Sequence, residues 1–160
     1  MNKELKDLKT KKNRARGKKA KANGANFERR VRKDLEDKSW IVAKWQNNVS
    51  DFPEGNINKP TEEREDRKLI PAKNKFNPFS KAMMLGGGFP DFIAFRIADT
   101  ISCHNYCEVI GVESKVLGYL DKVERAKCEW LLKNKIFSRI LIAQKTKVKN
   151  KIIIKYKDFK

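Results

Sequence analysis

One histidine, His104, serves the whole 160-residue chain. Histidine-ligated metal chemistry and Ser-His or Cys-His nucleophilic machinery therefore have almost no material to work with. The cysteines, Cys103, Cys107 and Cys128, are three in number. That odd and sparse set does not make a disulfide framework and suits a reducing, intracellular compartment. Cys103-His104-x-x-Cys107 offers soft ligands, but the paired Cys-x-x-Cys knuckles of a structural zinc site are missing. No apolar run approaches the roughly 18 residues that span a bilayer, and the first residues lack the apolar stretch of a signal peptide. A soluble protein with no membrane partner is expected. Acidic residues are also few, 20 against 38 Lys plus Arg, for a net charge of +18. This favours a polyanionic partner, without choosing among DNA, RNA, a ribosomal assembly and an anionic lipid surface.

A chain of this length has room for one core and too little for two ordinary domains. Residues 1–21 carry ten Lys/Arg against Glu4 and Asp7, a local net of +8, with almost nothing to bury. They read as a basic flexible arm or a frayed, exposed helix able to ride on phosphates; a solubilising tail or an import signal has the same composition. The remainder, 22–160, reads as the folded domain. Phe27, Val31 and Leu35 recur every four residues after Gly24, which predicts a helix to Asp37 with Asn23 or Asn26 as its cap. Trp40 to Trp45 reads as a strand. Residues 47–85 form a long inserted connection broken by prolines, with a short helical turn at Thr61 to Asp66. Its stretch from Lys73 to Phe79 interleaves lysines with Phe76 and Phe79, which suits nucleic acid and equally suits a loop pinned by two aromatics.

Gly86-Gly87-Gly88 leads into a strand over Phe89 to Phe95, and after a turn near 99–105 another covers Tyr106 to Val116. A helix over 118–134 and strands over 136–143 and 151–156 follow. The fold class is α/β, a mixed central β-sheet flanked by helices. A right-handed crossover through the helix sets the strand at 136–143 parallel to the one before it. The lysines of the last strand suit a sheet edge.

Chemistry concentrates at Pro90-Asp91 and Glu113-Ser114-Lys115. Alternation on a strand puts Glu113 and Lys115 on one face, and an antiparallel hairpin brings Asp91 beside Glu113. Charges among apolar neighbours are costly unless paired, metal-bound or at an open sheet end. Oxygen ligands of this type suit Mg²⁺, with Mn²⁺ as a substitute. Asp91, Glu113 and the backbone carbonyl of Ser114 are the candidate ligands, and Glu28 on the first helix reaches the same cluster if that helix packs on the sheet. Lys115 would orient water or offset phosphate charge. A strand cap at Asp91 and a surface ion pair between Glu113 and Lys115 would use the same residues for no chemistry.

Pro90-Asp91, Glu113-Ser114-Lys115 and the upstream Asn26-Phe27-Glu28-Arg29-Arg30-Val31 resemble the PD-(D/E)XK nuclease superfamily, nearest to archaeal Holliday junction resolvases and their single-domain relatives. The resemblance spans roughly residues 24–46 and 86–143. It implies a restriction-endonuclease-like core, with Glu28, Asp91, Glu113 and Lys115 as catalytic residues and Lys127 beside them on the following helix. It also implies Mg²⁺-dependent endonuclease activity on branched DNA in recombination or repair, a homodimer, and products with 5′-phosphate and 3′-hydroxyl ends. The long connection at 47–85 and Ser114, at a place often apolar, depart from the resolvase pattern. The alternatives are a nuclease for a different DNA or RNA structure and a non-catalytic basic nucleic-acid-binding protein, whose affinity would come from phosphate contacts alone.

Overall fold

The computed structural model describes residues 3–50, 67–78, 80–84, 86–101, 104–149 and 151–160. Helix α1 spans Lys3–Asp37, so the basic segment and the predicted first helix are one element. Neither Asn23 nor Asn26 caps a start; Asn26 Oδ1 instead accepts from Arg29 Nη2 at 2.7 Å. Lys, Arg and Ala sustain a helix without an apolar stripe, which is why periodicity alone does not reveal its first turns. The stripe begins at Phe27, where Phe27, Val31 and Leu35 become buried. Ser39 then turns left-handed (φ 63°), Ser39 N–H donates to Glu36 O and Trp40 N–H to Leu35 O. This paired closure ends the helix and stacks Trp40 and Leu35 into one cluster.

Five strands form the central sheet in the order β1 (Ile41–Lys44), β6 (Phe92–Ile101), β7 (His104–Ser114), β8 (Arg139–Val148) and β9 (Lys151–Asp158). β7 and β8 are parallel, joined through α2 (Lys122–Lys133), and the other neighbours are antiparallel. The α/β architecture with a mixed sheet and two flanking helices is therefore present. β6 runs longer than its apolar segment, to Ile101, and β7 already begins at His104, so most of the turn expected near 99–105 is strand. β9 lies at an edge with Lys151, Lys155 and Lys157 exposed, the arrangement that discourages further pairing.

Both sheet faces are covered, as the apolar strand centres require. Phe27, Val31 and Leu35 of α1 pack with Val42, Phe92, Ala94, Ile110 and Val112. Cys128 and Leu131 of α2 pack on the opposite face with Phe89, Phe137, Ile140 and Ile142. A charged ladder crosses the last four strands, from Arg96 to Glu108 to Arg139 to Asp158. Being largely exposed, it fixes register more than it stabilises.

Within the long connection, β2 (Asn47–Val49) pairs with β3 (Leu69–Pro71), and β4 (Lys75–Asn77) with β5 (Ala82–Met84). The helical turn predicted at Thr61 to Asp66 and the side chains of Cys103 and His104 lie outside the described residues. Among the described residues, no helix is long and apolar enough to cross a membrane.

Candidate active site

The hairpin register pairs Phe92 with Val112, so the next step outward sets Asp91 beside Glu113 at the open end of the sheet. Two hydrogen bonds lock this step. Asp91 N–H donates to Glu113 Oε2 at 3.0 Å, and Ser114 N–H donates to Asp91 Oδ2 at 2.9 Å. Each carboxylate thus spends one oxygen on the other strand's backbone. Glu113, 6% exposed, is the one buried charged residue among the described residues.

Cations approach this pair from both faces. On the α2 face, Lys115 Nζ lies 3.2 Å from Glu113 Oε1 and bonds Glu124 Oε1. On the α1 face, Lys44 Nζ rides over the Phe92 ring at 4.6 Å, bonds Glu28 Oε2 at 2.6 Å and lies 3.9 Å from Asp91 Oδ1. Glu28 therefore reaches the cluster through Lys44 and not by direct contact with Asp91. Lys127 stands one turn after Glu124 on α2, half-buried, with Nζ 5.5 Å from the Phe89 ring centre.

Burial pushes the Glu113 carboxyl up to about 8, and the charge of Asp91 adds to that rise against the pull of Lys115. Asp91 is raised as well, by burial first and by Glu28, while the Ser114 N–H and Lys44 oppose the shift. Burial is the larger cause at both acids, so this sheet end disfavours two ionised carboxylates held side by side. Burial works to lower Lys115, but the Glu124 hydrogen bond and the charges of Glu113 and Glu124 outweigh it and raise the ammonium above its ordinary value. Lys115 is consequently a permanent cation near neutrality, able to donate hydrogen bonds and unsuited to act as a base. Lys127 is lowered by burial, against the opposing charges of Glu124, Asp121 and Glu113.

Two contributors escape a reading of the sequence, Lys44 and Glu124. Glu124 has a legible signal: Asp121-x-x-Glu124 is a capping-box pattern, and Asp121 Oδ1 accepts from Glu124 N–H while Glu124 Oε2 accepts from Asp121 N–H. The cap leaves Oε1 for Lys115. Lys44 has none, since its reach depends on the pairing of β1 with β6.

A cleft of about 280 Å³ opens beside Asp91, lined by Lys44, Trp45, Gln46 and Gly86–Gly88. Gly86 and Gly88 stand in this wall because backbone crowds them. A Cβ on Gly88 would stand 2.3 Å from Trp45 O, and one on Gly86 would stand 2.1 Å from Lys73 O.

No protein-family profile, curated protein or solved structure matches the chain. Among the described residues, no group of three or more His, Cys, Asp or Glu is gathered as a ready-made metal site. The donor chemistry still fits a hard divalent cation: two carboxylates are fixed by backbone bonds, and each keeps an oxygen that now faces an ammonium group. Ser114 Oγ is buried beside Asp91, where it lends that carboxylate weak support without a well-formed hydrogen bond.

Proposed function

We propose that this chain is a metal-dependent endonuclease that hydrolyses phosphodiester bonds in DNA, with branched DNA as its substrate class. One observation supports it above the others: Asp91 and Glu113, two acids held together in a chain of net charge +18, meet at an open sheet end with Lys115 beside them. A polyanion brought to that end would disfavour ionisation of the two acids still further unless a cation intervened. Asp91 and Glu113 would hold Mg²⁺ or Mn²⁺, with Ser114 contributing its carbonyl and Glu28 acting from the α1 side. Bound there, such an ion lowers the pKa of water and offsets charge on the phosphate under attack.

The chain's own groups supply the rest. Lys115, kept protonated by Glu124, donates to a non-bridging phosphate oxygen or to the attacking water and stabilises the charge that develops. Lys44 exchanges Glu28 for a neighbouring phosphate, and Lys127 adds positive charge from α2. A two-fold dimer would address both strands of a symmetric junction.

Nicking of supercoiled plasmid with Mg²⁺, comparing the wild type with Asp91→Ala and Glu113→Ala, tests the reading. Cleavage by the wild type alone is expected, and a panel of four-way, flap, splayed and plain duplex DNA with an RNA control ranks the substrates. Retained binding by all three proteins, with no metal-dependent cleavage of any substrate, would establish the non-catalytic binder instead.

A further inference from the structure

The β4–β5 ribbon carries an apolar face that neither core covers. Phe76 and Met83 are cross-strand partners, 60% and 62% exposed. Partners of this kind share one face of a ribbon, so an aromatic ring and a thioether lie side by side in water. Phe76 does not pin the connection to the body, and Phe79 lies outside the described residues. A two-stranded ribbon is marginal alone, and a solvated aromatic contributes little to holding it.

The surroundings select the occupant. Lys73 and Lys81 are exposed just beyond the two ends of the ribbon, so positive charge flanks it in sequence at both ends. A second copy of this chain would set lysine against lysine. A nucleobase attached to its phosphate satisfies both parts, stacking its π-face on the ring while the phosphate meets an ammonium group. Position agrees with this: β5 ends at Met84, and Gly86, which begins the wall of the Asp91 cleft, packs on the carbonyl of Lys73 at the ribbon's root.

We propose that the β4–β5 ribbon is a stacking platform for unpaired DNA bases, with Phe76 and Met83 receiving a base laid open at a branch or strand separation beside the Asp91 cleft. In an intact duplex the base faces are occupied by their neighbours, so the platform distinguishes open from closed DNA. It deepens the nuclease reading, and rests on that reading only for the cleavage step after binding.

Anisotropy titrations of the full chain in chelator, using splayed DNA and a fully paired duplex of equal length, provide the test. Phe76→Ser combined with Met83→Ser should weaken splayed-DNA binding on the order of ten-fold, the scale of one base stack, and change duplex binding by less than about two-fold. Phe76→Trp should keep the affinity, and its emission over that of the wild type should be quenched by splayed DNA and not by duplex. Equal losses on both DNAs, no loss on either, or loss of self-association by the double variant would overturn the proposal. A wild type that binds selectively but never cleaves would refute the nuclease reading and leave the platform standing.

Discussion

Asp91 and Glu113 clasp each other across the β6–β7 hairpin, the main-chain N–H of Asp91 on the Glu113 carboxylate and the Asp91 carboxylate on the N–H of Ser114. The clasp fixes both acids before any ligand arrives. Its cost is a buried carboxylate whose desolvation Lys115, 3.2 Å away, offsets only in part.

That cost should appear in the stability of the metal-free protein. The folded state holds the Glu113 proton up to about 8, against 4.5 for the ordinary side chain. Between those values the folded state binds more protons than the unfolded one. The contribution is fully present below the lower value, falls as pH rises and is gone above the upper one. Its slope is at most about 1.4 kcal/mol per pH unit. Urea denaturation in chelator, run from the ordinary value of 4.5 to just above 8, should show the decline, and Glu113→Gln should flatten it. Parallel curves for the two proteins would mean that this carboxylate is not the group titrating.

Glu124 has two duties, and substitution separates them. Glu124→Gln keeps a side chain able to close the capping box but removes the charge that holds Lys115. Stability should change by less than about 1 kcal/mol, while turnover on a nicking substrate falls about 10–100-fold, the range for loss of a supporting partner. Glu124→Ala should show the same kinetic loss with the added cost of the cap. Full turnover in the Gln variant would reduce Glu124 to a helix cap.

The glycine wall predicts opposite outcomes one residue apart. Gly88→Ala drives a methyl into the carbonyls of Trp45 and Asn47, whereas Gly87→Ala meets nothing within 4 Å. The first should cost about 1–3 kcal/mol, as overpacking does. The second should stay within about 0.5 kcal/mol. Denaturation midpoints of the pair decide it, and equal midpoints would show that the wall yields.

Much of the fold is legible wherever apolar pattern and packing agree. Phe27, Val31 and Leu35 announce the docked half of α1, and the apolar centre of β6 announces a sheet covered on both faces. Asp91, Glu113 and Lys115 come together because hairpin register is set by the same apolar residues. Side-chain reach is not legible. Lys44 joins Glu28 to Asp91 across strands remote in sequence, and no local signal encodes that. The first turns of α1 escape because a helix of Lys, Arg and Ala has propensity without periodicity. The ribbon's exposed face escapes too, since Phe76 reads alike as an anchor and as a contact surface.

Thiol chemistry should divide the cysteines. Cys128 is fully buried in the α2 cluster, and burial, with Glu113 and Glu124 nearby, pushes its thiol up to about 12. Cys107 is exposed. N-ethylmaleimide at neutral pH should label Cys107 within minutes and leave Cys128 unmodified until denaturant is added, as read by peptide mass spectrometry. Early labelling of Cys128 would show that α2 opens from the sheet.

Removal of residues 1–21 should affect binding more than folding. The segment continues α1 outward from Phe27, so truncation leaves the buried stripe of Phe27, Val31 and Leu35 intact while removing ten cations. If those cations meet phosphates, each phosphate no longer neutralised takes about 0.9 from the slope of log affinity against log salt on duplex DNA. The truncated chain should therefore bind more weakly at low salt, with a shallower slope, and unfold at nearly the same denaturant concentration. Cleavage at saturating DNA should persist, because Asp91, Glu113 and Lys115 are set by the hairpin and not by the outer helix. An unchanged slope would place the phosphate contacts on the domain body, and the ribbon lysines at 73 and 81 would be the next to substitute.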